Sequence, residues 1–392
     1  MISLSRYRDV LAQAELRHII VISILGRLPI GITGLAILLT VQGSLGSFAA
    51  GGVASGAYVF GLALVAPALG RAIDRVGPRT PLYICAVGFP AALAGLAASV
   101  HYRAPAVWLY VLSMAAGAVF PPITVCMRTL LRRRLSEERL LAAAYSLESV
   151  LIETIFIAGP LLVALFVALL APVVAVLFAA ACGAVGTLLF VQTATLRTWH
   201  VEPQPGHHLL GPMRSGTFVA LIAVVLGYSM AFGLLEIGLT AYATQHRNPA
   251  LAGVLLGITS VGSVLGGLAY GSRGWHFPLV RQFAVTLLLM GLGMGALALP
   301  LTPLPFSVVC VLAGVVMAPA LIIQSMLVAK TASPEHSTEA FTWSTSALLS
   351  GVGLGLAVGG ALLEIADAHV VLGTGALAAV AAAAAARLLL RP

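Results

Sequence analysis

Charged side chains are scarce in this 392-residue chain, since Asp, Glu, Lys and Arg together make up only 9% of it. Soluble globular proteins carry about 25% charged residues. A chain with so few charges cannot cover a water-facing surface, so most of its surface must face lipid. The hydrophobic fraction of 60% and the mean hydropathy of +1.05 agree with this. The composition therefore predicts an integral membrane protein.

Motifs that carry enzyme chemistry are missing as well. The four cysteines show neither metal-site spacing nor a disulfide pattern. No phosphate loop, zinc box or nucleophile elbow is present, and histidines and acids do not cluster at catalytic spacing. The net charge is +8, but the arginines are scattered over loops and do not form a basic patch with aromatic residues. We therefore expect no enzymatic activity, no cofactor, no metal and no nucleic-acid partner.

Long apolar runs are what the chain has in abundance. A helix needs about 20 apolar residues to cross the hydrocarbon core of a bilayer. Only helices suit such runs, because each backbone amide must be satisfied within its own segment. Twelve runs of this length predict an all-α membrane protein with twelve transmembrane helices. The predicted helices cover residues 18–41, 50–71, 81–100, 106–128, 141–167, 172–194, 216–243, 250–271, 281–300, 305–329, 339–364 and 370–390.

Basic residues are distributed unequally between the two sets of connecting segments. With a cytoplasmic N terminus, 18 of the 21 Lys and Arg residues fall in cytoplasmic segments and two, Arg103 and Arg247, fall in outside loops. Short loops that are rich in Lys and Arg stay in the cytoplasm. Residues 1–18 carry charges before a full-length apolar run, which is not the pattern of a cleavable signal. We expect a multi-pass protein of the inner cell membrane with both termini in the cytoplasm.

One polar stretch, residues 70–79, gathers three arginines and an aspartate between the second and third apolar runs. It resembles the signature G-x-x-x-D-R-x-G-x-[RK] of the major facilitator superfamily. The matching residues are Gly70, Asp74, Arg75, Gly77 and Arg79, while Pro78 replaces a residue that is usually basic. The resemblance implies a transporter of two helical bundles in which this stretch is a conformational latch between the halves on the cytoplasmic side. The alternative is a generic tight turn whose arginines set the topology.

The longest polar interval, residues 196–215, divides the helices six and six. We expect an N-terminal six-helix bundle over 1–195, a cytoplasmic linker over 196–215 and a C-terminal six-helix bundle over 216–392. If the halves are repeats, a second copy of the latch stretch should follow helix 8. Residues 267–274 keep the glycines and one arginine, but Gly271 stands in the place of the aspartate. The repeat is therefore degenerate.

Charges inside the predicted helices mark the candidate site. A charge at the bilayer centre costs at least about 2.5 kcal/mol, so it usually faces a partner or a cavity. Arg27 lies in helix 1, and Arg128 closes helix 4. Glu148 and Glu153 lie in helix 5, about 140° apart around the helix axis, so they cannot share one face. One of them is expected to pair with Arg27 or Arg128 and pin helices 1, 4 and 5; the alternative role for both is substrate or proton handling.

Glu236 lies near the middle of helix 7, which contains no cation. A carboxylate that is removed from water without a partner favours the protonated form. In the superfamily, helices 1, 4, 7 and 10 are expected to line a central cavity, so the resemblance implies that Arg27 and Glu236 face each other across the path. We expect Glu236 to be the proton-coupling or cation-recognising carboxylate. The alternative is a protonated side chain that is hydrogen-bonded to a neighbouring helix.

Gly159 and Pro160 in helix 5 resemble a Gly-Pro pair on this helix in exporters of the superfamily. The pair predicts a local bend and a close helix contact at the bundle interface. Together these features favour a monomeric secondary transporter whose partners are a small molecule, protons and the lipid bilayer. The leading function is proton-coupled export of small amphiphilic or drug-like molecules by alternating access. Two alternatives are a transporter of a specific anionic metabolite, with Arg27 as anion clamp, and a transporter-like scaffold or sensor.

Overall fold

A computed structural model of the protein describes residues 5–46, 48–199, 211–246 and 250–390. These residues form helices and no strands, and twelve helical spans are long and apolar enough to cross a membrane. The predicted all-α fold with twelve transmembrane helices is therefore confirmed. In chain order, spans 1 to 12 are Ala14–Leu45, Ala50–Val76, Arg79–His101, Ala106–Arg134, Glu138–Leu169, Pro172–Gln192, Gly216–Ala243, Gly253–Gly271, Leu279–Leu297, Pro303–Thr331, Pro334–Leu363 and Ala368–Leu389.

Three spans consist of two helical segments each. The breaks fall beside prolines in spans 1 and 4, because proline has no amide hydrogen to donate to the preceding turn. In span 10 the break falls at Val315 and Val316. The paired segments are Ala14–Arg27 with Pro29–Leu45, Ala106–Ala118 with Ile123–Arg134, and Pro303–Gly314 with Met317–Thr331.

The other spans contain one α-helix each, and span 11 begins with the 3₁₀ helix Pro334–His336. The long helices are Phe48–Val76, Arg79–His101, Glu138–Leu169, Pro172–Gln192, Gly216–Gln245, Ala250–Gly271, Leu279–Leu297, Ser337–Leu363 and Ala368–Leu389. The short α-helices are Ser5–Ala12 and Ala194–Arg197, and the 3₁₀ helices are Gly211–Arg214 and Pro334–His336. The linker predicted over 196–215 includes residues 200–210, which lie outside the described residues, so the division into two domains and a linker stays a prediction.

One predicted boundary was wrong in a way that matters for the site. Span 4 does not end at Arg128 but continues as a helix to Arg134. The basic run at its end was therefore interpreted as a loop although it is helical. Hydropathy marks where a helix leaves the hydrocarbon core, and a helix can continue beyond that point with charged side chains. Arg128 consequently lies more than a turn inside the helix.

The two halves of the chain, spans 1–6 and spans 7–12, meet near one end of the spans. We call this the terminal end, because Ala14 and Leu389 lie there, and we call the opposite end the far end. Span 2 packs on span 11, and span 5 packs on spans 8 and 10. The Ser346 hydroxyl on span 11 donates a hydrogen bond to the Ala63 carbonyl on span 2, at 2.9 Å. On the other side of the molecule, the Ser146 hydroxyl donates to the Gly267 carbonyl at 2.7 Å.

The seam between spans 2 and 11 opens toward the far end. Gly56 and Gly353 lie seven residues beyond Ala63 and Ser346, which is two helical turns along the same faces. A Cβ placed on either glycine would meet nothing within 4 Å. The halves are thus in contact at the terminal end and are separated by a cleft at the far end.

Gly159 on span 5 makes a close helix contact with Gly31 on span 1. A Cβ on Gly159 would lie 2.5 Å from the carbonyl carbon of Gly31. Span 5 passes Pro160 as one continuous helix. The expected close approach at Gly159 and Pro160 is therefore present, but it joins two helices of the first half, and the expectation that it lies at the bundle interface was wrong.

We expect Gly159→Ala to destabilise the protein by about 1–3 kcal/mol, because the added methyl group must push spans 1 and 5 apart. Thermal unfolding of the purified protein in detergent measures this effect. Gly43→Ala is the matched control, since a Cβ at Gly43 meets nothing within 4 Å. Equal melting temperatures for the two variants would contradict the close packing of these spans.

Candidate functional site

Asp74 connects span 2 of the first half to span 11 of the second. Its carboxylate oxygens accept hydrogen bonds from the backbone amides of Thr338 and Glu339, at 3.0 and 2.7 Å, and the side chain is only 3% exposed. These amides belong to the first turn of the helix Ser337–Leu363, where N–H groups lack partners within the helix. The positive end of the helix dipole also favours a carboxylate at this place.

Arg71 adds a second contact between spans 2 and 11. Its Nε and Nη2 atoms donate hydrogen bonds to Glu339 Oε1 at 3.1 and 2.7 Å, and Glu339 is almost fully buried. Gly70 is required by the close approach, since a Cβ there would overlap the side chain of Thr342. Sequence reasoning missed Glu339 as a partner. The available signal was an acidic residue in the first turn of an apolar helix, in a chain with few charges.

The remaining signature residues behave differently from one another. Gly77 has a φ of +84°, a left-handed conformation that favours glycine, and its amide donates to the Ile73 carbonyl as the helix ends. Arg75 and Arg79 are exposed, and among the described residues neither has a hydrogen bond or ion pair. The structure therefore places Gly70 and Asp74 in the contact between spans 2 and 11, whereas Arg75 and Arg79 lie outside this contact.

Arg132, near the end of span 4, makes a further contact across the halves. Its guanidinium donates to the Ala332 carbonyl at 2.6 Å and to the Ser337 hydroxyl at 3.1 Å. Sequence reasoning missed this contact because residue 132 was placed in a loop. Together, Arg71, Asp74, Arg132 and Glu339 form what we call the latch.

Arg27 and Glu148 form an ion pair inside the first half. Arg27 Nη1 donates to Glu148 Oε1 at 3.1 Å, and Nη2 lies 2.8 Å from Oε2 in an ion-pair contact that is not aligned as a hydrogen bond. The two side chains are 0% and 1% exposed. The structure therefore does not place Arg27 on the surface of the path opposite Glu236. An anion could bind Arg27 only by displacing Glu148.

Glu153 faces the other half of the protein. It accepts a hydrogen bond from the Ser263 hydroxyl on span 8 at 2.8 Å, and its side chain is half-buried. This is the deepest of the hydrogen bonds that join spans 5 and 8, about 15 residues from the start of span 5. Glu148 and Glu153 thus have different partners on different sides of their helix, and Glu153 is the one that borders the interface.

Arg128 is a half-buried cation between the halves. Its guanidinium has no hydrogen bond or ion pair within the described part of the chain. It lies within electrostatic range of Glu148 and Arg27 in its own half and of Tyr228 on span 7. Because Arg27 is neutralised by Glu148, Arg128 is the cation that remains available to a ligand at this depth.

A buried polar network lies beside Arg128 in the second half. The Tyr228 hydroxyl donates to Gln324 Oε1, and Gln324 Nε2 donates to the Ser344 hydroxyl at 2.6 Å. All three side chains are buried, and they join spans 7, 10 and 11. Gln324 and Ser344 were not predicted from the sequence. Each is a polar side chain within a long apolar helix, where an unpaired polar group is costly, and this could have indicated that they have partners.

Glu236 is exposed on span 7 near the far end. Residues two positions away on a helix point to the opposite side, since each residue turns by about 100°. Leu234 and Gly238 pack against Gly375 and Leu372 of span 12, so Glu236 faces away from span 12. Its side chain is exposed and has no hydrogen bond or ion pair among the described residues.

The position of Glu236 differs from the expectation in two respects. It lies seven residues from the end of span 7 at Ala243, about 10 Å from the far end, and not near the middle. Its side chain is exposed in this structure, in which the halves are apart at the far end.

The arrangement offers ion pairing, hydrogen bonding and proton exchange along the interface between the halves. Of the described residues, no group of three or more His, Cys, Asp or Glu side chains could hold a metal ion. Besides the latch, the polar groups at the interface include Arg128, Glu153 and the Tyr228 network.

Comparisons with known proteins agree with this fold. A sequence model described as Major Facilitator Superfamily matches residues 19–271. No curated protein matches the sequence. The human organic anion transporter MFSD10 (TETRAN) is similar in structure, with a TM-score of 0.75 and 18% identity over 94% of this chain and 99% of that one.

Two other solved structures show the same fold. A bacterial homologue of the iron transporter ferroportin, in an outward-facing state, has a TM-score of 0.76 and 14% identity over 95% of this chain and 97% of that one. The fucose:proton symporter FucP of E. coli has a TM-score of 0.73 and 11% identity over 97% of this chain and 100% of that one. At these identities the likeness is one of fold.

Proposed function

We propose that this chain, which belongs to the Major Facilitator Superfamily of multi-pass membrane transporters, exports small amphiphilic molecules in exchange for protons. The observation that carries the proposal is the Glu236 carboxylate, which is exposed near the far end and has no hydrogen bond or ion pair among the described residues. An intramembrane carboxylate of this kind binds either a cationic substrate or a proton. Competition between the two ligands for one carboxylate couples their movement.

The orientation follows from the distribution of basic residues. Short segments rich in Lys and Arg stay in the cytoplasm, and the latch with its arginines lies at the terminal end. The terminal end is then cytoplasmic, with both chain termini, and the cleft opens to the outside of an inner cell membrane. The fold-level similarity to a ferroportin homologue in an outward-facing state supports the same interpretation.

Alternating access gives Glu236 two environments. In the outward-open state its carboxylate is accessible to water and exchanges a bound cation for a proton. When the far end closes, the side chain loses water, and the neutral, protonated form is favoured. The proton is released when the terminal end opens and a new substrate cation replaces it. The latch must open in this step, so Arg71, Asp74 and Glu339 control access from the cytoplasm.

A second candidate function is transport of an anionic metabolite, and Arg128 favours it. A half-buried guanidinium without a described partner is suited to a carboxylate or phosphate, which it can bind through two parallel hydrogen bonds. In this case Arg128, and not the neutralised Arg27, would be the anion clamp. A scaffold or sensor role without transport is the remaining possibility and predicts no flux of either ligand class.

Transport in proteoliposomes tests the proposal. We expect Glu236→Gln to abolish accumulation of a lipophilic cation driven by an imposed pH gradient, because the neutral amide can bind neither the proton nor the cation. Glu364→Gln is the matched control, because Glu364 is also exposed near the far end, and we expect it to transport normally. Unchanged gradient-driven transport by Glu236→Gln would refute the role of this carboxylate.

The same preparation separates the alternatives. Uptake of a small carboxylate, but not of a lipophilic cation, would favour the anion transporter, and Arg128→Gln should then abolish that uptake. Absence of both fluxes in folded protein would favour a scaffold or sensor.

A further inference from the structure

A groove of about 350 Å³ lies between spans 8, 9 and 10 at the terminal end of the second half. One wall contains Val285 and Leu289 of span 9, which are 45% and 48% exposed. The opposite wall contains Val315 and Val316, where span 10 is broken into two segments. Since the chain is embedded in a bilayer, these exposed apolar side chains face lipid tails. The groove is therefore open to hydrocarbon along its length.

The depth of the groove suits one leaflet. Span 9 begins at Leu279, and Leu289 lies ten residues further, about 15 Å along the helix axis. The hydrocarbon core of a bilayer is about 30 Å thick, so each leaflet contributes about half of that. The groove thus runs from the membrane surface at the terminal end to about the middle of the hydrocarbon.

Two arginines stand at the mouth of the groove. Arg273 and Arg281 are both exposed, and the Arg281 guanidinium lies 4.6 Å from the centre of the Phe277 ring. The sequence contains no acidic residue from 237 to 334, which includes all of spans 8, 9 and 10. Glu138 is a carboxylate within electrostatic range of Tyr270 in the groove lining. The mouth therefore has a net positive charge.

The mouth is held in place by aromatic and amide contacts. Trp275 stacks on Tyr270 with ring centres 5.3 Å apart, and its indole N–H donates to the Tyr270 carbonyl at 3.0 Å. Gln282 accepts a hydrogen bond from the Tyr270 hydroxyl at 2.5 Å and donates to the Phe277 carbonyl at 2.6 Å. Trp and Tyr are enriched at the membrane–water interface, which is where this segment lies.

We propose that the groove binds an anionic phospholipid, with its phosphate on Arg273 and Arg281 and one acyl chain against Val285, Leu289 and the break in span 10. The charge at the mouth selects an anionic headgroup, and the apolar groove accommodates a chain that extends into the leaflet. A lipid in this place contacts the break in span 10, and span 10 also packs on span 5 of the other half. The proposal depends on the membrane embedding and not on proton coupling.

Native mass spectrometry of the purified full-length protein tests the site. Phosphatidylglycerol is expected to bind more tightly than phosphatidylcholine. A basic residue near an anionic lipid surface contributes about 1 kcal/mol, which is about fivefold in affinity. The double variant Arg273→Gln/Arg281→Gln should therefore weaken phosphatidylglycerol binding by about 10- to 30-fold. Arg139→Gln/Arg197→Gln, which removes two other exposed arginines, is the matched control and should bind like the wild type.

A second variant tests the apolar part without changing charge. Leu289→Trp fills the groove and is expected to weaken phosphatidylglycerol binding. Glycerol 3-phosphate, which has the anionic group without acyl chains, should bind far more weakly than the lipid. The proposal is overturned if the two lipids bind equally, if the control arginine variant loses as much affinity as Arg273→Gln/Arg281→Gln, or if glycerol 3-phosphate binds as tightly as phosphatidylglycerol.

Discussion

Arg27→Leu is expected to lower the free energy of unfolding by about 3–5 kcal/mol, because it leaves the Glu148 carboxylate buried without its cation. The pair is almost inaccessible, with exposures of 0% and 1%, so water cannot replace the lost partner. Thermal unfolding of the purified protein in detergent measures the change. This is among the largest single-substitution effects that we expect in this protein.

The double variant Arg27→Leu/Glu148→Leu should recover most of the lost stability, since replacing a buried ion pair by apolar residues is often neutral. Arg134→Leu is the matched control. Arg134 pairs with Glu15 at 3.6 Å, but both side chains are well exposed, so we expect a change of less than about 1 kcal/mol. A double variant as unstable as Arg27→Leu would show that the pair itself is not the cause.

The double variant also separates structure from transport. If the ion pair only joins spans 1 and 5, a stable double variant should retain transport. If Arg27 clamps an anionic substrate, transport should be lost although the protein is folded.

Asp74→Asn is expected to open the latch. The asparagine oxygen can accept from only one of the two amides at Thr338 and Glu339, and its charge is gone. A hydrogen bond to a charged group contributes about 1.5–3 kcal/mol, so the ratio of closed to open terminal ends should fall by about 10- to 150-fold. Spin labels at Thr80 and Glu335, which are exposed on opposite halves, measure the change as a longer label–label distance.

Asp367→Asn is the matched control for this measurement. Asp367 also accepts a backbone amide at a helix N-terminus, from Val370 at 3.1 Å, but it lies at the far end of span 12. The same chemical change there should leave the distance at the terminal end unaltered. Arg75→Gln should also leave the label–label distance unaltered, because Arg75 is exposed and lies outside the contact between spans 2 and 11. An unchanged distance distribution in Asp74→Asn would contradict the latch.

Local properties of the sequence were sufficient for the fold. A span depends on the length and hydropathy of one continuous segment, and both can be counted along the chain. The prediction was wrong at the end of span 4, where the helix continues from Arg128 to Arg134. Hydropathy there marks the point at which the chain leaves the hydrocarbon core, but the helix continues beyond that point.

The candidate site was only partly predictable. The latch signature identified Asp74, but its partners at Thr338 and Glu339 lie more than 260 residues away. No local pattern pairs such distant segments. Likewise, the 140° between Glu148 and Glu153 predicted different faces, but the rotation of span 5 against its neighbours decided which carboxylate meets Arg27.

By itself, the sequence determined the number of membrane spans, the polar stretch that contains Asp74 and the few charged residues within the spans, because these depend on composition over short distances. The tertiary structure alone decided which of those charges are neutralised and which remain available. Arg27 is enclosed with Glu148 because spans 1 and 5 cross closely at Gly31 and Gly159. Glu236 is exposed, and the described parts of the two halves are apart at the far end.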